Sequence, residues 1–341
     1  MGHASIRVGI AGVHPLTEWI LLPTLQTHPQ AKAVAICGGS AGERAELAAL
    51  HRVPEQYPNL DLMLQFAELD AAIVCDAVPE ALPAVLDAGL HALFLPASFA
   101  DAETLFERCR LRPQQIAMPF FPLRWLPVFR ALLDYLRDGF IGRPYHAEFQ
   151  VFIDGEAGGS IGAAEPSAHL AADWIDFAQC CFGAVERVHA AQAGRAPSST
   201  RLVLGFAAGT TAEIAYSRTS QWPGSTPWQR ARLHGDNGTL QVDFDTAGQA
   251  LLRGSTKADP RLAPLSAGPY ATGTLMQLQQ ALHREEAGVR LFVDAIAGSR
   301  QPQPDWLDAY AVQCVVDAAR RSLQSGGWTA CASPAAIRRG A

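Results

Sequence analysis

The sequence predicts two domains: an α/β domain built on a doubly wound parallel sheet, and an α+β domain built on a mainly antiparallel open sheet. At 341 residues the chain is long enough for about two domains with separate cores. Its first third alternates short, continuously apolar runs with segments of helical period. After Met118 the runs instead alternate apolar and polar residues. We therefore predict domains at 1–118 and 119–341.

The first domain is predicted from runs that are apolar on both faces of the strand. Such runs lie at 6–11, 33–37, 71–75, 92–95 and 115–118. Helical periodicity separates them at 19–26, 42–51, 79–88 and 101–110. Strands that alternate with helices in this way form a parallel sheet with helices on both sides. The order predicts a Rossmann-type domain.

The second domain is predicted from strands with one polar face. In 145–153, Tyr145, Ala147 and Phe149 alternate with polar residues, which is the period of a half-exposed strand. Similar runs occur at 201–206, 211–216, 230–234 and 239–244, and Asp236-Asn237-Gly238 predicts a hairpin turn before the last of them. Flanking helices are predicted at 123–138, 167–182, 275–297 and 305–324.

Composition excludes several classes of partner. Lys and Arg total 27 against 33 for Asp and Glu, the net charge is −6, and no basic run occurs, so nucleic acid and anionic membranes are poor partners. The apolar strand at Ile6 leaves no room for a signal peptide, and no run of 18 apolar residues could span a membrane. None of the seven cysteines forms a CxxC pair. We expect a soluble, cytoplasmic protein with reduced thiols.

Four short motifs, in the same order as the predicted elements, carry a family resemblance. They are Gly9-Ile10-Ala11-Gly12, Ala88-Gly89-Leu90-His91, Arg124-Trp125-Leu126-Pro127 and Phe292-Val293-Asp294-Ala295-Ile296. Over nearly its whole length the chain resembles the Gfo/Idh/MocA family of oxidoreductases. The resemblance implies NAD or NADP binding on the first domain and action on a sugar, cyclitol or related small molecule in the second. It also implies a homodimer or homotetramer formed through the open sheet.

The position of the dinucleotide loop departs from that family. The GxGxxG pattern, preceded by Gly9 in the strand, falls on Gly12, His14 and Thr17, so only its first glycine remains. Glycines are required there because the pyrophosphate lies against bare backbone at a helix N-terminus. The bulk of His14, and Pro15 with no N–H, oppose phosphate binding. The alternative interpretation is an ordinary helix start with Pro15 in its first turn.

The adenosine end of the cofactor site also departs from the family. The acid that grips the ribose of NAD is absent from Cys37-Gly38-Gly39-Ser40. Ser40 and Arg44 would suit a 2′-phosphate, so NADP is the expected cofactor if any nicotinamide binds. The alternative is a solvated loop followed by an exposed helix arginine.

Two further positions oppose hydride transfer. Asp76 would place a negative charge near an anionic cofactor, which weakens binding. The family's lysine, which polarises the reacting oxygen, is replaced by Pro96. A proline has no proton to donate. We therefore expect NADP binding to be weak or absent.

An acid–base face is predicted on the helix at 167–182. The resemblance implies an Asp, a His and a second Asp there; the matching residues are His169, Asp173 and Asp176, with the first two exchanged. A helix turns 100° per residue, so the three fall within about 60° on one face. Arg124 matches a family position near the substrate. The alternatives are a surface His–Asp contact and an Arg124 paired with a surface acid; a metal site is not expected, because three ligands on one helix rarely converge.

Three functions remain open from the sequence. The first is an atypical NADP-dependent oxidoreductase in which His169 and Asp173 transfer the proton. The second is a cofactor-free lyase, epimerase or hydrolase that uses the same pair. The third is a non-catalytic relative that senses a small molecule or supports a partner. Fold alone does not decide between them.

Overall fold

The chain, in a computed structural model, is described for residues 5–13, 16–75, 78–96, 101–152, 166–193, 199–217, 228–244, 250–266 and 287–332. It divides into two compact units. One runs up to Phe121 and includes the segment that ends at Tyr310; the other begins at Pro122 and includes the segment from Ala311 onward. The sequence pattern places all residues after 118 in the second domain, whereas packing groups the helix at 287–297 with the first unit.

The first unit contains a six-stranded parallel sheet, which confirms the doubly wound prediction. The strand order is β3-β2-β1-β4-β5-β6. The order reverses between β1 and β4, and ligands of such sheets bind beyond the carboxyl ends of the strands at this point. The strands are β1 Ile6–Ala11, β2 Ala31–Cys37, β3 Glu55–Tyr57, β4 Ala71–Val74, β5 His91–Phe94 and β6 Ala117–Pro119.

The helices follow the predicted order, with one addition. A π-helical turn at Thr17–Leu21 leads into the first α-helix. The helices are α1 Leu22–Thr27, α2 Ala41–His51, α3 Leu60–Phe66, α4 Ala81–Asp87, α5 Ala102–Arg110, α6 Pro127–Arg137, α7 Pro166–Phe182, α8 Ala287–Ala297 and α9 Trp306–Ser325. Helix α3 and strand β3 are not predicted from the sequence. No helix in the described ranges is long and apolar enough to cross a membrane.

The second unit contains a nine-stranded sheet in the order β14-β13-β12-β11-β7-β10-β9-β8-β15. Every neighbouring pair is antiparallel except β7 and β10, which confirms a mainly antiparallel sheet. Asp236 and Asn237 connect β11 to β12, as predicted. The strands are β7 Pro144–Phe152, β8 Val185–Ala193, β9 Ser199–Phe206, β10 Thr211–Ser217, β11 Trp228–Gly235, β12 Gly238–Phe244, β13 Ala250–Thr256, β14 Ala263–Pro264 and β15 Thr329–Ala330.

An aromatic cluster fixes α7 against this sheet. Phe129 of α6 lies 4.7 Å from Phe177 and 5.5 Å from Trp174, measured between ring centroids. Phe149 of β7 lies 5.2 Å from Trp174. All four side chains are at most 2% exposed. Because rings of this size dominate core packing, the cluster sets the rotation of α7 and therefore the positions of Asp173 and Asp176.

Candidate functional site

The predicted site residues fall in two places: the carboxyl edge of the parallel sheet in the first unit, and helix α7 with the turn before α6 in the second. At the first place, Gly12 follows β1 with φ 110°, and its N–H donates to the Cys37 carbonyl at 3.0 Å. Thr17, at the position of the third family glycine, is fully buried and donates its hydroxyl to the Gly12 carbonyl at 3.3 Å. The threonine therefore closes the loop onto itself.

Other residues of the loop are used in packing. Gly9 lies inside β1, where a Cβ would come within 2.8 Å of Leu69 Cδ1, so the absence of a side chain serves the core. Val13 packs against the turn after β2, because a Cβ on Gly39 would lie 2.7 Å from Val13 Cγ2. The isopropyl group of Val13 thus joins the loops after β1 and β2. His14 lies outside the described residues.

The helix after this loop does not begin as an α-helix. The N–H of Leu22 donates to the carbonyl of Thr17, a spacing of five residues, and Leu16 provides no side-chain cap. Anion-binding sites use the first-turn amides of an α-helix. A π turn is wider and is uncommon at a helix start, so these amides are spaced differently from those of a usual phosphate cradle.

Ser40 and Arg44 are both engaged in starting α2. The Ser40 hydroxyl accepts from the Glu43 N–H at 3.2 Å, and the Glu43 carboxylate accepts from the Ser40 N–H at 3.0 Å. These hydrogen bonds to Ser40 lower the Glu43 pKa, so a carboxylate lies at the helix N-terminus. Arg44 donates to the Gly38 carbonyl at 2.8 Å. The spacing Ser-x-x-Glu was visible in the sequence as a capping-box signal, although sequence analysis did not use it.

After β5, the described residues at the position of the family lysine carry no acid–base group. The N–H of Leu95 continues the sheet by donating to the Val74 carbonyl at 3.0 Å, and Pro96 follows, partly buried. Neither side chain can transfer a proton. Asp76 lies outside the described residues. At the positions that surround a dinucleotide in the family, Val13, Thr17 and Glu43 thus each contact another part of the protein.

In the second unit, Arg124 and Asp176 are partners of each other. A short 3₁₀ turn, Pro122–Arg124, presents the guanidinium to α7. Arg124 Nε lies 2.7 Å from Asp176 Oδ2, and Nη2 lies 2.6 Å from Oδ1, which is a bidentate fork. The Asp176 side chain is 1% exposed and that of Arg124 is 19% exposed. The sequence alternative of a surface acid is therefore wrong, because the acid is buried.

Asp173 lies one turn before Asp176 and is in a different electrostatic state. Its side chain is partly buried and has no hydrogen-bond or ion-pair partner among the described residues. Burial, and then the negative charge of Asp176, raise the pKa of Asp173 well above its ordinary value. The carboxyl group therefore retains its proton at a pH where an ordinary aspartate is ionised, and can act as a donor.

His169 belongs to the same helix, but its side chain lies outside the described residues. The spacing of four residues to Asp173 is helical, as predicted, so the two positions share a face. In the parts of the chain that the structure describes, no group of three His, Cys, Asp or Glu side chains could hold a metal ion. The described part of this arrangement is a buried Arg124–Asp176 pair next to a carboxyl group, Asp173, whose pKa is raised.

The structure resembles known dehydrogenases over nearly its full length. No protein-family model and no curated protein sequence matches the chain. Levoglucosan dehydrogenase in complex with NADH and L-sorbose superposes with a TM-score of 0.80 at 16% identity, covering 97% of this chain and 100% of that one. Myo-inositol 2-dehydrogenase from Lactobacillus plantarum superposes with a TM-score of 0.77 at 16% identity, covering 96% of this chain and 100% of that one.

A third structure extends the likeness to a nucleotide-sugar enzyme. The WlbA dehydrogenase from Bordetella pertussis, in complex with NADH and UDP-GlcNAcA, has a TM-score of 0.75 at 16% identity, covering 98% of this chain and 99% of that one. At such identities the likeness concerns the fold. This chain therefore has the two-unit fold of the Gfo/Idh/MocA-type oxidoreductases, as its motifs predict.

Proposed function

We propose that the protein binds a small polar molecule of the sugar or cyclitol type beside Arg124, Asp173 and Asp176, with its nicotinamide chemistry impaired. The observation that carries the proposal is the raised pKa of Asp173, caused by burial and by the negative charge of Asp176, beside a buried Arg–Asp pair. Structures with the same fold contain levoglucosan or L-sorbose, which supports a ligand of this class.

The chemistry of this face suits a polyhydroxylated ligand. A protonated Asp173 offers a hydrogen-bond donor as well as an acceptor, whereas an ionised aspartate only accepts. Arg124 is held by Asp176 yet remains 19% exposed, so its guanidinium is partly accessible. Donors and acceptors in fixed positions discriminate hydroxylated ligands from apolar analogues, because unpaired polar groups are costly.

We further propose that NAD and NADP bind weakly or not at all. Val13 packs against the Gly39 turn, Thr17 closes the glycine loop, and the Glu43 carboxylate is attached to the amide of Ser40. That carboxylate would repel the 2′-phosphate for which Ser40 and Arg44 seemed suited. NADP nevertheless remains the cofactor to test first, since the sequence provides no ribose acid for NAD.

A second candidate is a cofactor-free acid–base enzyme such as a lyase, epimerase or hydrolase. The upward shift of the Asp173 pKa favours it, because a carboxyl group that keeps its proton more readily than an ordinary aspartate is better suited to act as a general acid. In this candidate Asp173 holds and donates a proton, and His169, one turn earlier on the helix, removes one. The pair would then act in the order opposite to that of the family.

Calorimetric titration with myo-inositol, L-sorbose, NAD and NADP tests these proposals. We expect heat from at least one of the polyols, loss of that heat in Asp173→Asn, and no change in the exposed α6 control Asp134→Asn. Neither coenzyme should give measurable heat. A low-micromolar dissociation constant for NADP would contradict impaired cofactor binding and restore an atypical oxidoreductase. Turnover without nicotinamide that His169→Ala and Asp173→Ala both abolish would favour the second candidate.

A sensor or partner role is the remaining outcome. It would be supported if no turnover is found while a specific small molecule or protein co-purifies. Mass spectrometry of the purified protein, before and after denaturation, distinguishes a retained ligand from an empty preparation. Binding that persists unchanged in Asp173→Asn would move the ligand away from this face of α7.

A further inference from the structure

A cavity of about 330 Å³ lies in the second unit, between the core face of β8 and β9 and the helices α7 and α9. Two alanines that face it, Ala171 and Ala319, leave space between the helices that larger side chains would fill. The apolar part of its lining is completed by Ile175, Leu202, Val316 and Leu323. This volume is that of about ten water molecules and lies at the lower end of the volumes of ligand-binding pockets.

This cavity is separate from the face proposed above to bind a polyol. Ala171 and Ile175 line it, whereas Asp173 and Asp176 lie on the other side of the same helix. At 100° per residue the two pairs of positions are about 150° apart around α7. The inference therefore does not rest on the proposed function.

One side of the cavity is polar and includes a hydroxyl that has no hydrogen-bond partner among the described residues. Thr200 is on the core face of β9, and its Oγ1 is buried without a hydrogen bond in the described residues. Gln192 of β8 lies directly opposite Thr200 in register and also lines the cavity. Buried hydroxyls are nearly always hydrogen-bonded, so an unpaired one on a residue that lines the cavity can turn towards a ligand bound there.

A cation also lines the cavity. Arg320 of α9 lines the cavity, and its side chain is 45% exposed. It contacts Asp317, three residues earlier, at 2.9 Å. The Asp317 carboxylate also accepts from Gln313 Nε2 at 3.0 Å, so it keeps a hydrogen bond when the half-exposed guanidinium exchanges this partner for the anionic end of a ligand.

We propose that this cavity binds an amphipathic monocarboxylate with a hydrocarbon chain of about eight carbons. The chain occupies the apolar part between Ala171 and Ala319. The carboxylate lies on the polar side, where Thr200 donates a hydrogen bond and Arg320 supplies the positive charge. A neutral or cationic ligand of the same length would leave the guanidinium without a new partner.

Octanoate, with 1-octanol and octylammonium as charge controls, tests the proposal by calorimetry and ligand-observed NMR on the full chain. We expect octanoate to bind at least about tenfold more tightly than either control. Arg320→Gln should weaken octanoate binding by about tenfold and change octanol binding little. Arg321→Gln, the adjacent exposed arginine that does not line the cavity, is the matched control and should leave both unchanged.

Thr200→Val gives a signature that a purely structural hydroxyl would not produce. Removing an unpaired buried hydroxyl should leave the melting temperature unchanged or raise it, while octanoate binding weakens by about fivefold. Ala319→Leu should abolish binding by filling the cavity; if it fails to fold, Leu323→Phe replaces it. Equal binding of octanoate and octylammonium, undiminished binding in the filled variant, or a cavity that holds only water would overturn the proposal.

Discussion

At the residue scale, the bidentate contact between Arg124 and Asp176 makes a strong prediction about stability. Arg124→Ala removes both charge-assisted hydrogen bonds that the guanidinium donates to the buried carboxylate of Asp176, so we expect the free energy of unfolding to fall by about 3–5 kcal/mol. Arg137→Ala is the control, because its contact with Asp134 at 3.4 Å is largely exposed and should contribute less than about 1 kcal/mol. Urea unfolding followed by tryptophan fluorescence measures both. Equal losses in the two variants would contradict a buried, structural pair.

Asp173 makes a prediction about pH. Its pKa is raised in the folded protein, so the unfolded chain ionises first as pH rises. The protonated Asp173 carboxyl group contributes its full stabilisation of the folded protein below its ordinary pKa near 3.8. This contribution is lost as pH rises towards the higher pKa of the folded state. Asp173→Asn has no such loss, so its stability relative to the wild type should increase with pH, by at most about 1.4 kcal/mol per pH unit.

Thermal and urea unfolding from pH 4 to pH 8 measure this difference. Asp134→Asn is the control, because its side chain is largely exposed and its contact with Arg137 should contribute less than about 1 kcal/mol. An Asp173→Asn curve that is parallel to the wild type would show that the carboxyl is ionised in the folded protein. The proposal of a proton donor at this position would then fail.

The candidate site was only partly predictable at this scale. Arg124 and Asp176 are 52 residues apart, and no local pattern in the sequence indicates that they meet. Their types and positions came from the resemblance, and the structure adds that they bind each other. The raised pKa of Asp173 depends on burial beside the aromatic cluster of α6 and α7 and on the proximity of Asp176, both of which require tertiary packing.

At the element scale, α2 shows how one pattern can be interpreted in two ways. Ser40 and Glu43 form a reciprocal cap, so Ser40→Ala should destabilise the protein without cofactor by about 1 kcal/mol, and Ser40→Gly by only a few tenths. Chemical denaturation monitored by circular dichroism measures the difference. If Ser40 served only to bind a 2′-phosphate, the alanine variant would be as stable as the wild type until NADP was added.

The long, periodic elements were predictable and the short or interrupted ones were not. β4 is continuously apolar, β1 is apolar except for Arg7, and both were predicted almost to the residue. β3 has three residues and is partly exposed, so it has no usable period. In β8 a register irregularity near Val185 interrupts the alternation of apolar and polar residues, so the sequence pattern does not indicate a strand there. In β13, Gly254 weakens the pattern, although the close approach of Phe140 and Leu265 requires a glycine there.

At the scale of the whole molecule, the departures from the family pattern are integrated into the fold. Thr17 closes its loop, Val13 packs against the Gly39 turn, and Ser40 caps α2. Thr17, Val13 and Ser40 thus each have a structural role in the protein without cofactor. These roles support our proposal that NAD and NADP bind weakly or not at all.

The open face of the second sheet leads to a proposal about assembly. Arg230 and Arg253 both contact Asp243, at 2.6 Å and 3.0 Å, and Arg232 contacts Gln241 at 2.7 Å. These side chains form an ordered polar layer on the face opposite the helices. A large sheet face with fixed, complementary charges is suited to self-association about a two-fold axis. We propose that copies of the chain pair through this face.

Ala215 provides the test of that assembly, because it is a small residue near the middle of the face, opposite Gln150 on one side and Arg201 on the other. Ala215→Arg adds bulk and places a second cation beside Arg201, so we expect a dimer or tetramer to dissociate to monomers while circular dichroism remains unchanged. Leu111→Arg introduces the same side chain at an exposed position of the first unit and should leave the assembly intact. Sedimentation velocity across a range of protein concentrations measures the mass of each variant. A wild type that sediments as a monomer at all concentrations, or an Ala215→Arg variant that assembles as the wild type does, would remove the sheet face from the interface.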